Sequence, residues 1–334
     1  VSKPFPLIAL LLAACAGPGP PGGQALAEDS ASLLARADRY FDMRQRENAQ
    51  RLYELAAVAA NGQGDPGDYV AAASQLAQVF VLAGQTAQAR DWLDSATERV
   101  EREDTAAWAR WLVARGAVEQ AEGRLERALA TFEEAYGFAL DVGLPVRAVQ
   151  AAHWASVVAP DERAVRWCRL AIEAGRELGQ PALQVALWKQ LAWLLEDRGL
   201  YSEALAAFRQ ARAETDPGDG HALLVADWLV GHALRLAGRI TDARALMEDV
   251  ARRAESAYRD ARRPNDAEWV AHAQAELAEL DVLTGDIERA ISRLEIAHER
   301  FLEAGARRLA LDRLVRNDER LAELRARQLS SAGG

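Results

Sequence analysis

Three stretches of this chain share one spacing: "LAGQTAQARDWLDSA" from Leu82, "AEGRLERALATFEEA" from Ala121 and "LTGDIERAISRLEIA" from Leu283. In each, a glycine is followed five residues later by alanine, four after that by a large apolar residue, and three further on by alanine. The pattern returns as Gly199-Ala204-Phe208-Ala211 and, with valine last, as Gly238-Ala243-Met247-Val250. Two copies lack the glycine: Ala49-Tyr53-Ala56 after Arg44, and Ala164-Cys168-Ala171 after Ala159. Residues at i, i+4 and i+7 share one face of an α-helix, and a glycine five positions earlier ends the preceding helix in a tight turn. Seven residues before each glycine stands another small residue: Ala77, Gly116, Ala192, Gly231 or Ala278. Small residues on both helices let the backbones approach, and the large residue fills the space left over. Each unit is then a helical hairpin that cannot bury its own apolar face, so the hairpins must stack.

Composition agrees. Half of the 334 residues are apolar but only 7% are aromatic, which suits closely packed helices better than strands. Pro66, Pro145, Pro160, Pro181, Pro217 and Pro264 fall between the helical patterns rather than inside them. The "DPGDG" segment at 216–220 is a turn feeding a helix, so Asp216, Asp219 and His221 are read as turn and cap rather than as metal ligands. The net charge of -10 repels phosphate backbones, which argues against nucleic acid as a partner.

The small-Gly-Ala-large-Ala order resembles the tetratricopeptide repeat, and Trp188 falls at that family's tryptophan position, eleven before Gly199. The alanine anchors at 49, 89, 128, 164, 204, 243 and 290 are spaced more widely than that family's usual repeat of about 34 residues. The closer similarity is to the longer-helix variants of bacterial signal-sensing regulators. The resemblance implies an all-α fold, a right-handed superhelix of about seven stacked hairpins over residues 30–304. Residues 305–334 are expected to form a capping helix and a disordered tail, the seven arginines from Arg307 onward lying on a solvated face.

The chain opens differently. An apolar run from Leu7 to Ala14 follows Lys3 and is far shorter than the roughly 20 residues of a spanning helix, so residues 1–14 are expected to be a targeting segment. Leu12-Ala13-Ala14-Cys15 resembles the lipobox of bacterial lipoproteins. The resemblance implies diacylglycerol on the Cys15 thiol and cleavage just before it, and Ala16 in place of aspartate implies the outer membrane, on its periplasmic side. Residues 15–29, with "GPGPPGG" at 17–23, are expected to be a flexible linker.

No nucleophile, zinc or phosphate-loop motif is present, so no enzyme and no cofactor are expected. In tetratricopeptide arrays the first helix of each hairpin lines a concave surface. Counting back from each turn places Arg110, His153, Lys189, Trp193, Trp228, His232, Arg235 and His272 on that side. Aromatic anchors among hydrogen-bonding groups suit capture of a peptide segment. The competing account makes Trp193 and Trp228 space-filling residues between hairpins, with the histidines satisfied locally. Two functions follow. One is a lipid-anchored scaffold or adaptor for a protein or peptide segment of an envelope complex, and the other is an unanchored module that senses a ligand or peptide.

Overall fold

The computed structural model describes residues 28–261, 263–305 and 311–332. The expected targeting segment, the lipobox with Cys15 and nearly all of the expected linker lie outside the described residues. What is described is all-helical. Seven hairpins follow one another: α1 (Ser30–Asp42) with α2 (Arg46–Gln63), α3 (Pro66–Leu82) with α4 (Thr86–Thr97), and α5 (Thr105–Ala121) with α6 (Leu125–Asp141). Then come α7 (Pro145–Val158) with α8 (Asp161–Arg176), α9 (Pro181–Glu196) with α10 (Tyr201–Ala213), α11 (Gly220–Leu236) with α12 (Ile240–Ala261), and α13 (Pro264–Leu283) with α14 (Ile287–Glu303). A last helix, α15 (Leu311–Ala332), packs on α14.

The recurrent triplets form the spine of the core. From Ala49-Tyr53-Ala56 to Ala290-Leu294-Ala297, all are at most 2% exposed. The small residue on the partner helix is needed for contact. A Cβ added at Gly116 would stand 2.5 Å from the ring of Phe132, and one at Gly231 would stand 2.7 Å from Cε of Met247. Phe132 and Met247 are the large residues of those same repeats, so each sits in the gap that its glycine leaves open.

Within the hairpins the turn glycines Gly84, Gly123, Gly199, Gly238 and Gly285 all have φ between 73° and 85°, a left-handed conformation that costs side-chain-bearing residues about 1–2 kcal/mol. Arg44 takes the same place in the first hairpin at φ 59°. Between hairpins, Pro66, Pro145, Pro181 and Pro264 stand at the first helical positions, where a missing N–H goes unneeded. Asp219 caps α11 by accepting from Ala222 N at 2.9 Å, and Asp216 accepts from Gly218 N.

First helices meet across hairpins, α1 with α3, α3 with α5, α5 with α7 and α11 with α13. Successive second helices make no comparable contact among the described residues. The first helices therefore line the inner side of the stack.

The final helix corrects one expectation. Its Leu314, Leu321 and Leu324 close the apolar end of the stack against α13 and α14. However, two of its arginines are only partly exposed and turn toward α13, where Arg313 pairs with Glu268 and Arg320 with Glu279, whereas Arg325, which pairs with Glu295, stays exposed as expected. The helix runs to Ala332, so only residues beyond the description are left for the expected tail.

Gly116→Ala should lower stability by about 1–3 kcal/mol in urea unfolding, although alanine is the better helix former by about 1 kcal/mol. Gly231→Ala should cost less, because the methionine terminus moves more readily than a buried phenyl ring. Combining Gly116→Ala with Phe132→Leu should be less damaging than the sum of the two single changes.

Candidate binding groove

At the start of the stack, Arg110 of α5 reaches past α3 to Asp38 of α1, with Nη1 donating to Oδ1 at 3.0 Å and Nη2 to Oδ2 at 2.5 Å. Tyr53 also donates to Asp38, at 2.7 Å, and Arg147 of α7 stands 4.0 Å from the same carboxylate. Burial works against an ionised Asp38, but the hydrogen bond and charge of Arg110 hold its pKa below the usual range. Arg147 is pushed down to about 10, by burial first and then by Arg110. These contacts tie α1, α5 and α7 together through one acid.

In the middle of the groove, His153 of α7 donates through Nδ1 to Gln190 Oε1 of α9 at 2.7 Å, and Gln190 donates to Ser156 Oγ at 2.7 Å. Burial pushes the His153 pKa down, so the ring is neutral at pH 7. Lys189, one residue before Gln190, is half-buried, and its ammonium has no hydrogen-bond or ion-pair partner among the described residues.

Farther along, the inner side becomes aromatic. Trp228 stacks on His232 with centroids 5.4 Å apart and planes 12° apart, and it meets Trp269 and His272 edge-on at 5.9 and 5.4 Å. Trp193 stands edge-on to Phe208, the large residue of the fifth repeat, and 5.8 Å from His232. His232 is the node of this region. Its Nδ1–H donates to Glu276 Oε1 at 2.8 Å and its Nε2–H to Glu196 Oε1 at 3.2 Å, so both ring nitrogens face carboxylates. Burial alone would lower its pKa, but the two acids outweigh burial and raise it to about 9. Arg235 forks onto Glu276, with Nε at 2.7 Å from Oε2 and Nη2 at 3.2 Å from Oε1. Despite burial, these cations hold Glu276 at about 2. His272, lowered first by burial, accepts at Nε2 from Arg313 Nη1 at 2.7 Å.

Trp193, Trp228, His232, Arg235 and His272 thus fall into one cluster across α9, α11 and α13. Arg110 belongs to the separate Asp38 network, and His153 and Lys189 lie between the two. The counting scheme missed Glu276, which is four residues after His272 on the same helical face, and Arg147. It also omitted Asp38, although Asp38 stands six before Arg44 just as His232 stands six before Gly238. Treating Arg44 as a turn residue would have found it.

No family model matches the chain, and no curated protein matches it in sequence. Among solved structures, it overlays with a TM-score of 0.63 and 17% identity on a signal transduction ATPase with a tetratricopeptide repeat sensor from Pyrococcus horikoshii. That match covers 85% of this chain and 43% of the archaeal protein, so the chain spans less than half of that protein's length. A second, with a TM-score of 0.54 and 13% identity, is the apo quorum sensor NprR from B. thuringiensis, covering 88% of this chain and 79% of that one. At these identities the likeness is one of fold, and the fold is the tetratricopeptide-like α-solenoid.

The His232 node makes stability depend on pH. A histidine raised to about 9 contributes fully below its unfolded value of about 6.5 and loses that contribution as pH rises through 9. Melting temperature should therefore fall by several degrees between pH 6.5 and 9.5. In His232→Gln the starting value should be lower and the slope flatter, as calorimetry at the two pH values would report.

Proposed function

We propose that this chain is an interaction scaffold whose inner face holds an extended segment of a peptide or protein. The observation that carries it is the half-buried strip of Trp193, Trp228, Trp269 and His272 on three successive first helices. Rigid aromatic rings edged by hydrogen-bonding groups supply contact area with little loss of side-chain entropy. Two structural neighbours, a repeat sensor and a quorum sensor, support a sensing role. The brace of His232 and Arg235 with Glu276 and of His232 with Glu196 then serves to fix the spacing of α9, α11 and α13, so the strip meets its ligand already formed.

The Leu12-Ala13-Ala14-Cys15 motif adds a second element to this proposal: the scaffold is held at the outer membrane by acylated Cys15 and serves an envelope complex. One acyl chain anchors only marginally and two or three hold stably. The peptide-sensing reading needs no anchor, and both use the same groove. Cells fed a palmitate analogue should label the wild type and not Cys15→Ser. An unlabelled, soluble wild type would remove the anchor and leave the groove.

The groove itself is tested by panning a displayed peptide library on the full chain. Selected peptides should bind at least tenfold more weakly to Trp228→Ala and equally well to Val58→Ser, which alters an exposed residue of the second helix α2. Peptides that depend on Val58 and ignore Trp228 would put the binding surface on the other side.

A further inference from the structure

Three histidines of the inner face differ in what their ring nitrogens meet. His232 lies between two carboxylates, and His153 donates to the amide of Gln190. His272 faces a cation instead: its Nε2 accepts from Arg313 Nη1 of α15 at 2.7 Å. A ring nitrogen accepts only while the imidazole is neutral, with its proton on Nδ1. The contact between α13 and α15 therefore reads the protonation state of His272. Glu268 completes the group, paired with the same Arg313 Nη1 and with Oε1 3.6 Å from His272 Nε2.

Nothing else around the ring replaces that bond. Glu276, one turn farther along α13, is taken up by His232 and Arg235. From α11 comes the edge of Trp228 with His232 stacked on it, while His221 bears on Glu268. From α14 comes the ring of Phe301 at 5.2 Å, and its neighbours Arg300 and Glu303 pair with each other. Burial first lowers the His272 pKa and Arg313 lowers it further, against Glu268 and Glu276, so the ring is neutral at pH 7.

The two halves of α15 are held differently. Near its start, Arg313 reaches α13, Leu314 packs on Ala271, Ala297 and Phe301, and Asn317 Nδ2 donates to Leu294 O at 3.1 Å. Farther on, Arg320 forks onto Glu279, and Leu321 and Leu324 pack on Ile291 and Leu294.

We propose that His272 and Arg313 form an acid-sensitive latch: a proton on His272 Nε2 removes the acceptor, sets two cations against each other across Glu268, and frees the first turns of α15 from α13. Leu314 and Phe301 are then uncovered beside the aromatic strip, while the Arg320 fork and Leu324 keep the second half in place. His298 of α14 works the other way, because its Nδ1 lies 2.6 Å from Asp318 of α15 and a charged ring there attracts that acid. The latch is whole at pH 7 and weakens as pH falls through about 6.5, the ordinary histidine value that a released ring regains. That is the opposite sign to His232.

Amide hydrogen exchange of the full chain at pH 7 and pH 5, corrected for the intrinsic rate, tests this. Protection over residues 311–318 should fall roughly tenfold at pH 5, while α3 to α6 change little. His272→Gln, whose amide oxygen accepts from Arg313 at either pH, should abolish the fall. Arg313→Gln should leave these turns poorly protected at both pH values, which keeps the test open if His272→Gln does not fold. In wild type at pH 7, 15N spectra of the His272 ring should place its proton on Nδ1. Equal protection at the two pH values, the same fall in His272→Gln, a proton on Nε2 at pH 7, or a fall abolished by His298→Gln would overturn the proposal.

Discussion

A small residue on one helix facing a large residue on the next is the contact on which the rest of this structure depends. Gly116 and Phe132, and Gly231 and Met247, interlock so closely that one added carbon would overlap its neighbour. Helices held at that separation fix the hairpin, and stacked hairpins fix which residues of the first helices face inward. The alanines at either side of each large residue serve the same end, because they are buried without requiring space. A core made this way needs few aromatics. Trp193, Trp228 and Trp269 can therefore stand half-buried on the inner helices, although Trp193 still leans on Phe208.

Charge organises what packing leaves open. Every long bridge on the inner face joins helices of different hairpins: Arg110 to Asp38, His232 to both Glu196 and Glu276, and Arg235 to Glu276. Ion pairs between exposed groups contribute little, but these are largely shielded from water and doubly hydrogen-bonded, so losing one partner would leave a charge without compensation. They act as braces on the separation of the first helices. The account in which Trp193 and the histidines pack locally and the account in which they form a binding surface are therefore compatible. His232 and Arg235 hold the face in shape, and Trp228, stacked on His232, stays half-buried upon it.

Most of the fold was legible in the sequence because its information is local. Glycine at a left-handed turn, alanine on a crowded face and proline at a first turn each impose a constraint within a few residues. Seven such units in series leave little freedom. The inner face was legible by register alone, which gathered Trp193, Trp228, His232, Arg235 and His272, side chains that lie in one cluster in the structure. Partners were not legible, since they depend on curvature. Asp38 lies 72 residues before Arg110, and nothing in either segment announces the pair. Two arginines of α15, Arg313 and Arg320, were misread for the same reason. They stand at the edge of the apolar stripe of Leu314, Leu321 and Leu324, and only the packing of the helix onto the end of the stack brings them to Glu268 and Glu279.

That last contact also sets the groove's polarity. Without α15, the inner side of α13 would present Glu268 and Glu279 as free acids beside an aromatic strip, and the far end of the groove would repel a carboxylate. Arg313 and Arg320 neutralise it, while Arg313 also fixes the neutral tautomer of His272 through Nε2. In the middle of the groove no such cancellation occurs at Lys189, which is half-buried and has no acid as hydrogen-bond or ion-pair partner among the described residues. A solenoid end is usually discussed as a lid on exposed leucines, and Leu314, Leu321 and Leu324 do provide one. Here the same helix also neutralises two acids of the inner face, which couples the closing of the stack to the charge of that face.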